Sequence, residues 1–137
     1  MIVAVCIGED GGMLFNRRRV SRDRAQRADL LALCGGKALR MNDYSAALFR
    51  DAADQIIVDK AFLETAGPGD VCFVEDRPLS PWMAEIEAVV LYRWNRAYPA
   101  DVRLDLDLSA FERVRQTEFP GSSHERVTRE IYRGKER

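Results

Sequence analysis

Three groups of residues carry side chains able to do chemistry. The first is an arginine run, Arg17, Arg18, Arg19 and Arg22, continued by Arg24 and Arg27. Guanidinium forks bind phosphate or carboxylate bidentately, so such a run can clamp an anion. Basic runs are more commonly solvated faces, and the acids at hand for pairing are Glu9, Asp10, Glu75 and Asp76. The second group is Asp23, set between Arg22 and Arg24. A general acid needs burial to raise its pKa, whereas an aspartate between arginines near a helix start reads as a surface charge favoured by the helix dipole. The third is His124, the single histidine, in Ser122-Ser123-His124-Glu125. Ser-His chemistry requires a carboxylate to orient the ring, and Glu125, adjacent in sequence, points the other way along a strand. Local hydrogen bonding within a turn is the simpler reading of Ser-Ser-His. Asp23 and His124 are thus the weak catalytic candidates. No metal is expected, because one histidine and three cysteines without ligand spacing cannot build a metal centre.

The bounds on function are loose. A chain of 137 residues makes one domain, over 1–137, large enough to bury roughly two thirds of its unfolded surface without disulfide or metal staples. A net charge of -1, from 21 basic and 22 acidic residues, supplies no overall field for nucleic acid or a membrane. Cys6, Cys34 and Cys72 are odd in number and far apart, which predicts buried, reduced thiols and a cytoplasmic protein. The apolar run at Met1 lacks a basic leader and is too short for a signal peptide, and no stretch approaches membrane-spanning length.

The elements that must position these residues start from Ile2 to Gly12. Its apolar run IVAVCI, broken by Gly8-Glu9-Asp10-Gly11-Gly12, predicts a buried central strand with a ligand-accessible loop at its carboxyl end. Met13 to Phe15 is a second short strand piece, and the arginines follow as a loop. Ser21 as N-cap, the apolar positions Leu30, Leu31 and Leu33, and Gly35-Gly36 predict a helix over 22–34. Strands are predicted at 38–41, 55–58, 71–74 and 88–94, with short helices begun by Asn42 or Asp43 and by Ser80-Pro81 and a helical turn near 61–65. Val102, Leu104, Leu106 and Leu108 alternate with polar residues as a half-exposed strand would, and 111–119 and 127–133 predict an antiparallel hairpin closing one sheet edge. Tyr92 and Trp94 share one strand face, which favours core packing, and Arg93-Trp94-Asn95-Arg96 is too short to argue for nucleic acid. The fold class is α/β, a three-layer domain with a mostly parallel sheet.

The order of elements, together with LYRWNRAYPADVRLDLDLSAFERV and EFPGSSHERVTREIYRGKER, resembles a compact dihydrofolate reductase. That resemblance implies a cofactor phosphate received after the second sheet strand by a Gly-Arg-Thr type turn, where this chain has Asn42-Asp43-Tyr44-Ser45. It implies a Gly-Gly beside the pyrophosphate, where this chain has Glu75-Asp76. Carboxylates facing a pyrophosphate repel it, so the expectation is that NADPH is not bound and that the chain carries no cofactor. The family's carboxylate early in the first helix, which holds the pterin and supplies its proton, falls within one residue of Asp23. Short bacterial chains similar to this one also carry a ribonuclease Z designation, but that enzyme's His-x-His-x-Asp-His zinc cluster needs more than one histidine.

The expected function is a small-ligand or protein-binding module of reductase-like fold, its ligand site comprising Arg17, Arg18, Arg19, Arg22, Glu9, Asp10, Glu75 and Asp76. The alternative is an enzyme: a diverged reductase, or a ribonuclease using the patch from Arg17 to Arg24 on phosphodiesters with Asp10, Asp23 or Glu75 as acid, base or metal ligand. Arginines already paired with the acids favour the first, and arginines that converge without acidic partners favour the second.

Overall fold

A computed structural model describes residues 1–135. The strands are β1 (Ile2–Ile7), β2 (Gly12–Phe15), β3 (Arg18–Arg19), β4 (Leu39–Met41), β5 (Ile56–Val58), β6 (Val71–Phe73), β7 (Ala88–Arg93), β8 (Val102–Arg103), β9 (Phe111–Phe119) and β10 (Val127–Gly134). Two α-helices, α1 (Arg24–Cys34) and α2 (Asp43–Ala46), lie among them. Segments of 3-10 helix cover Ala47–Gln55, Ser80–Glu85 and Leu108–Ala110. Seven strands form one sheet in the order β5-β4-β6-β1-β7-β10-β9. Every pairing from β5 to β7 is parallel, and β10 and β9 add an antiparallel hairpin at the edge. No helix among the described residues is long and apolar enough to cross a membrane.

The central position of β1 follows from its composition. Covered on both faces, a parallel strand needs apolar residues in succession and not in alternation. Val3, Val5 and Ile7 enter one core cluster with Val74, Leu79, Val89 and Leu91. Ala4 points to the opposite face, where Leu30, Phe73, Tyr92 and Trp94 gather beneath α1. Tyr92 and Trp94 are accordingly core residues, 0% and 2% exposed.

The helix α1 starts later than its sequence suggests. Asp23, not Ser21, is its N-cap, with extended backbone and a carboxylate that accepts from Gln26 N. Gly35 ends it in the left-handed conformation, at φ 58°. Its buried stripe is Gln26, Leu30 and Cys34, one residue per turn, while Leu33 faces outward. Burying Leu30 contributes roughly 1.5–3 kcal/mol to the docking of this helix.

Two other expectations are corrected. The alternating stretch from Val102 to Leu108 hydrogen-bonds as a strand only over Val102–Arg103, against β2. Its apolar residues still turn inward, Leu106 being buried, so burial alternates without a partner strand to complete the ladder. The arginine run is not a loop. Arg18 and Arg19 form β3, paired antiparallel with β2 through a two-residue turn of Asn16 and Arg17, both with positive φ (51° and 65°). Such a turn prefers Asn-Gly, because an L side chain in the left-handed region costs about 1–2 kcal/mol. Arg17→Gly is expected to stabilise the protein by about 0.5–1 kcal/mol, read as a raised urea midpoint at unchanged slope; a lowered midpoint would show that Arg17 makes contacts worth more than its strain.

Candidate functional site

The parallel strands β4, β6, β1 and β7 deliver their carboxyl ends to one side of the sheet, bringing together Asn42, Glu75, the Gly8 turn and Trp94 to Arg96. In open α/β sheets this is where ligands bind. The start of α1 and the turn between β9 and β10 meet at the same place.

Asp23 organises it, and its sequence context is misleading. Far from being a surface charge, it is 2% exposed. One oxygen, Oδ1, accepts from Gln26 N at 3.1 Å and from Ser122 N at 3.0 Å and Oγ at 3.2 Å. The other, Oδ2, accepts from Ser123 N at 2.9 Å, His124 N at 3.2 Å and His124 Nδ1 at 2.9 Å. Burial opposes ionisation, yet the His124 hydrogen bond and the N–H groups of Ser123, Ser122 and Gln26 together hold the carboxyl well below the usual carboxylate range. Asp23 is therefore an ionised anchor and not a proton donor. The turn can wrap it so closely because Gly121 has no side chain: a Cβ there would fall onto Asp23 Oδ2 and the His124 carbonyl.

His124 is likewise positioned by distant residues. Its ring stacks on Trp94, with centroids 4.4 Å apart and planes 14° off parallel, and is 5% exposed. The orienting carboxylate that Glu125 could not supply comes from Asp23, 101 positions earlier. Because a carboxylate only accepts, Nδ1 carries a proton, and in the tautomer this selects Nε2 is the acceptor. Two hydroxyls meet it there, Ser21 Oγ at 2.9 Å and Tyr98 Oη at 3.0 Å. Tyr98 Oη is also 3.2 Å from Ser21 Oγ, and with its single proton given to that oxygen the Ser21 proton is directed at Nε2.

Ser21 borders a cleft of about 730 Å³ lined also by Arg18, Arg19, Arg22, Tyr44, Arg96 and Ser123. Its charges divide into neutralised and unneutralised. Arg19 grips the buried Glu75 with Nε at 2.8 Å and Nη2 at 3.2 Å, stacks over the Tyr44 ring at 4.3 Å, and Glu75 takes a further bond from Ser45 Oγ at 2.7 Å. Among the described residues no carboxylate forms an ion pair with Arg18, Arg22 or Arg96. On α1, Arg27 has Nη1 buried without a hydrogen-bond partner. Burial first, and then the charges of Arg22, Arg19 and Arg24, draw its guanidinium below its ordinary pKa despite Asp23. The field at this corner is positive beyond what local acids cancel.

The remaining acids expected to pair with the arginine run do not reach it. Asp10 binds Arg103 at 3.0 Å, and Asp76 binds Arg77 at 2.9 Å and Asn42 at 3.0 Å. Glu9 is exposed and gives its N–H to the Arg96 carbonyl at 3.0 Å, with no ion pair among the described residues. Arg17 is exposed at the hairpin turn. Of the expected pairings only Arg19 with Glu75 forms, because β6 lies next to β1 and ends beside β3. No three His, Cys, Asp or Glu side chains among the described residues gather as metal ligands. Cys6 lies beneath the site on the α1 face, where burial first and then Glu75 and Asp23 push its thiol well up, so it is no nucleophile.

Sequence reasoning missed Ser21, Arg96 and Tyr98 as members of the site. Arg96 and Tyr98 follow a parallel strand within five residues, which was the available signal. Ser21 carried none beyond its suitability as a cap. In comparisons with known proteins, no protein-family model matches the chain and no significantly similar curated protein was found.

Proposed function

We propose that this chain is a cytoplasmic dihydrofolate reductase-like domain that does not carry out NADPH-dependent reduction and binds a small phosphate- or carboxylate-bearing ligand. The strand order β5-β4-β6-β1-β7-β10-β9, with its closing antiparallel hairpin, supports the resemblance in fold. Three free cysteines favour a reducing compartment. Asp43 stands at the first turn of α2 where the family places a cation, and Glu75 and Asp76 occupy the turn after β6, which disfavours a pyrophosphate. The turn from Ser122 to His124 already saturates Asp23, the carboxylate a pterin would need.

The observation that carries the reading is the set of arginines Arg18, Arg22 and Arg96 around one cleft, without carboxylate partners among the described residues and beside the hydroxyls of Ser21 and Ser123. Guanidinium groups held apart from acids in a concave site take phosphate or carboxylate oxygens through paired N–H bonds. Unpaired arginines are the feature expected of an enzyme rather than of a module whose charges are already paired, but a metal-assisted nuclease draws no support from Asp10, Asp23 and Glu75, each engaged elsewhere.

Thermal unfolding with inorganic phosphate tests this. Phosphate at a hundredfold its dissociation constant adds about 2.7 kcal/mol of stability, and the gain shrinks with added neutral salt. The double variant Arg22→Gln, Arg96→Gln is expected to remove it. NADPH is expected to give no larger shift than phosphate and not to be consumed with dihydrofolate. Consumption of NADPH, or a phosphate shift indifferent to both arginines, would overturn the reading.

A further inference from the structure

We infer that Ser21 is a nucleophile activated by His124 and Asp23, and that the cleft hydrolyses carboxylic esters bearing a phosphate or carboxylate group. The substrate class rests on the anion-binding reading above; the nucleophile does not.

The relay has its parts in order. Asp23 Oδ2 lies 2.9 Å from His124 Nδ1, and His124 Nε2 lies 2.9 Å from Ser21 Oγ. The carboxylate fixes the tautomer, so the basic nitrogen faces the hydroxyl. The ring cannot swing away, since Trp94 covers one face of it. Asp23 cannot either, being tied to three backbone N–H groups of the turn and to Gln26 N. Rigid support of this kind holds a nucleophile and base in productive geometry. Of the relay, Ser21 is the member that lines the cleft, together with Arg18, Arg22 and Arg96. A structural role for the serine alone would not require a histidine buried, stacked and oriented behind it.

In the reaction, Ser21 Oγ attacks the ester carbonyl carbon as its proton passes to His124 Nε2. Negative charge develops on the carbonyl oxygen, and the Tyr98 hydroxyl, 3.2 Å from Oγ, is a donor within reach of the attack site. Collapse of the tetrahedral adduct breaks the bond to the alcohol oxygen, which leaves with the proton from His124. Water then attacks the acyl-serine by the same relay, releasing the acid and restoring Ser21. Arg18, Arg22 and Arg96 hold the anionic group in place, and no metal or redox partner is required.

The test is covalent labelling of the folded protein with a neutral fluorophosphonate, read by intact mass and peptide mapping. Attack by Ser21 Oγ on phosphorus expels fluoride and leaves one phosphonyl group on Ser21. Labelling at Ser21 is expected, slowed by inorganic phosphate, absent in Ser21→Ala, and slowed at least about 100-fold in His124→Gln. Ser21 makes no backbone bond through its side chain, so Ser21→Ala is the variant expected to fold unchanged. Absence of label on Ser21, or equal rates in His124→Gln that retains the wild-type near-ultraviolet circular dichroism, would overturn the relay. Labelling of Ser21 that phosphate fails to slow would support the nucleophile while overturning the anionic substrate class. A phosphate stabilisation without any labelling would leave the anion cleft standing and remove the relay.

Discussion

Asp23→Ala is expected to lower the unfolding free energy by about 3–5 kcal/mol, the range for removing one partner of a buried charged network. The loss comes from what stays behind. The N–H groups of Gln26, Ser122, Ser123 and His124 and the His124 ring nitrogen lose their common acceptor, and α1 loses its cap. Asp23→Asn, which keeps one acceptor oxygen, is expected to lose less. The pH dependence follows from the depressed pKa: a carboxylate whose folded value lies below its unfolded value contributes stability above the unfolded pKa, near 3.9, and loses it as pH falls through the folded value. Urea unfolding of wild type should therefore weaken below about pH 4 more steeply than that of Asp23→Ala. A loss under about 1 kcal/mol at neutral pH would show that the turn from Gly121 to His124 does not depend on this carboxylate.

Asp29→Ala is expected to cost about 3 kcal/mol. Asp29 is half-buried on α1, where it accepts from Arg129 Nη1 at 2.8 and 2.9 Å and from the Tyr92 hydroxyl at 2.7 Å. Arg129 is 8% exposed and Tyr92 fully buried, so both would be left in low dielectric without their acceptor. Burial first and then Asp29 push the Tyr92 phenol far above its usual pKa, which fixes it as a neutral donor. Tyr92→Phe in the same background separates the two contributions: if Arg129 dominates, adding it to Asp29→Ala changes the urea midpoint by less than about 0.5 kcal/mol equivalent. A loss in Asp29→Ala no larger than for an exposed helix position would contradict the bridge between α1, β7 and β10.

Legibility of the sequence divides along physical lines. Elements set by local signals were readable: β1, β6 and β7 from continuous apolar runs, α1 from its closing Gly35, and the β9 and β10 hairpin from two strand-like stretches around Pro120-Gly121. The stretch from Val102 to Leu108 misled because alternation reports which way side chains face, and burial can alternate without a ladder. The arginine hairpin was hidden because Asn16-Arg17 lacks the glycine that usually marks such a turn.

The site was less legible for a reason of distance. Asp23 between two arginines has the local signature of a solvated charge, and its burial is imposed by a turn a hundred residues away. His124 looked unsupported because only neighbours in sequence could be weighed, whereas Asp23, Trp94 and Ser21 reach it through the sheet topology. Partnering of the arginines was equally non-local. Arg19 finds Glu75 because β6 neighbours β1, while Arg18 and Arg22, close by in sequence, face the cleft.

The most direct measurement is a phosphate titration followed by NMR of arginine Nε–H resonances. Arg18, Arg22 and Arg96 are expected to shift together with one dissociation constant, while Arg103 and Arg129, already committed to Asp10 and Asp29, stay fixed. Equal, unsaturable shifts across all arginines, including Arg103 and Arg129, would mean that the cleft holds no site and that phosphate merely screens the surface.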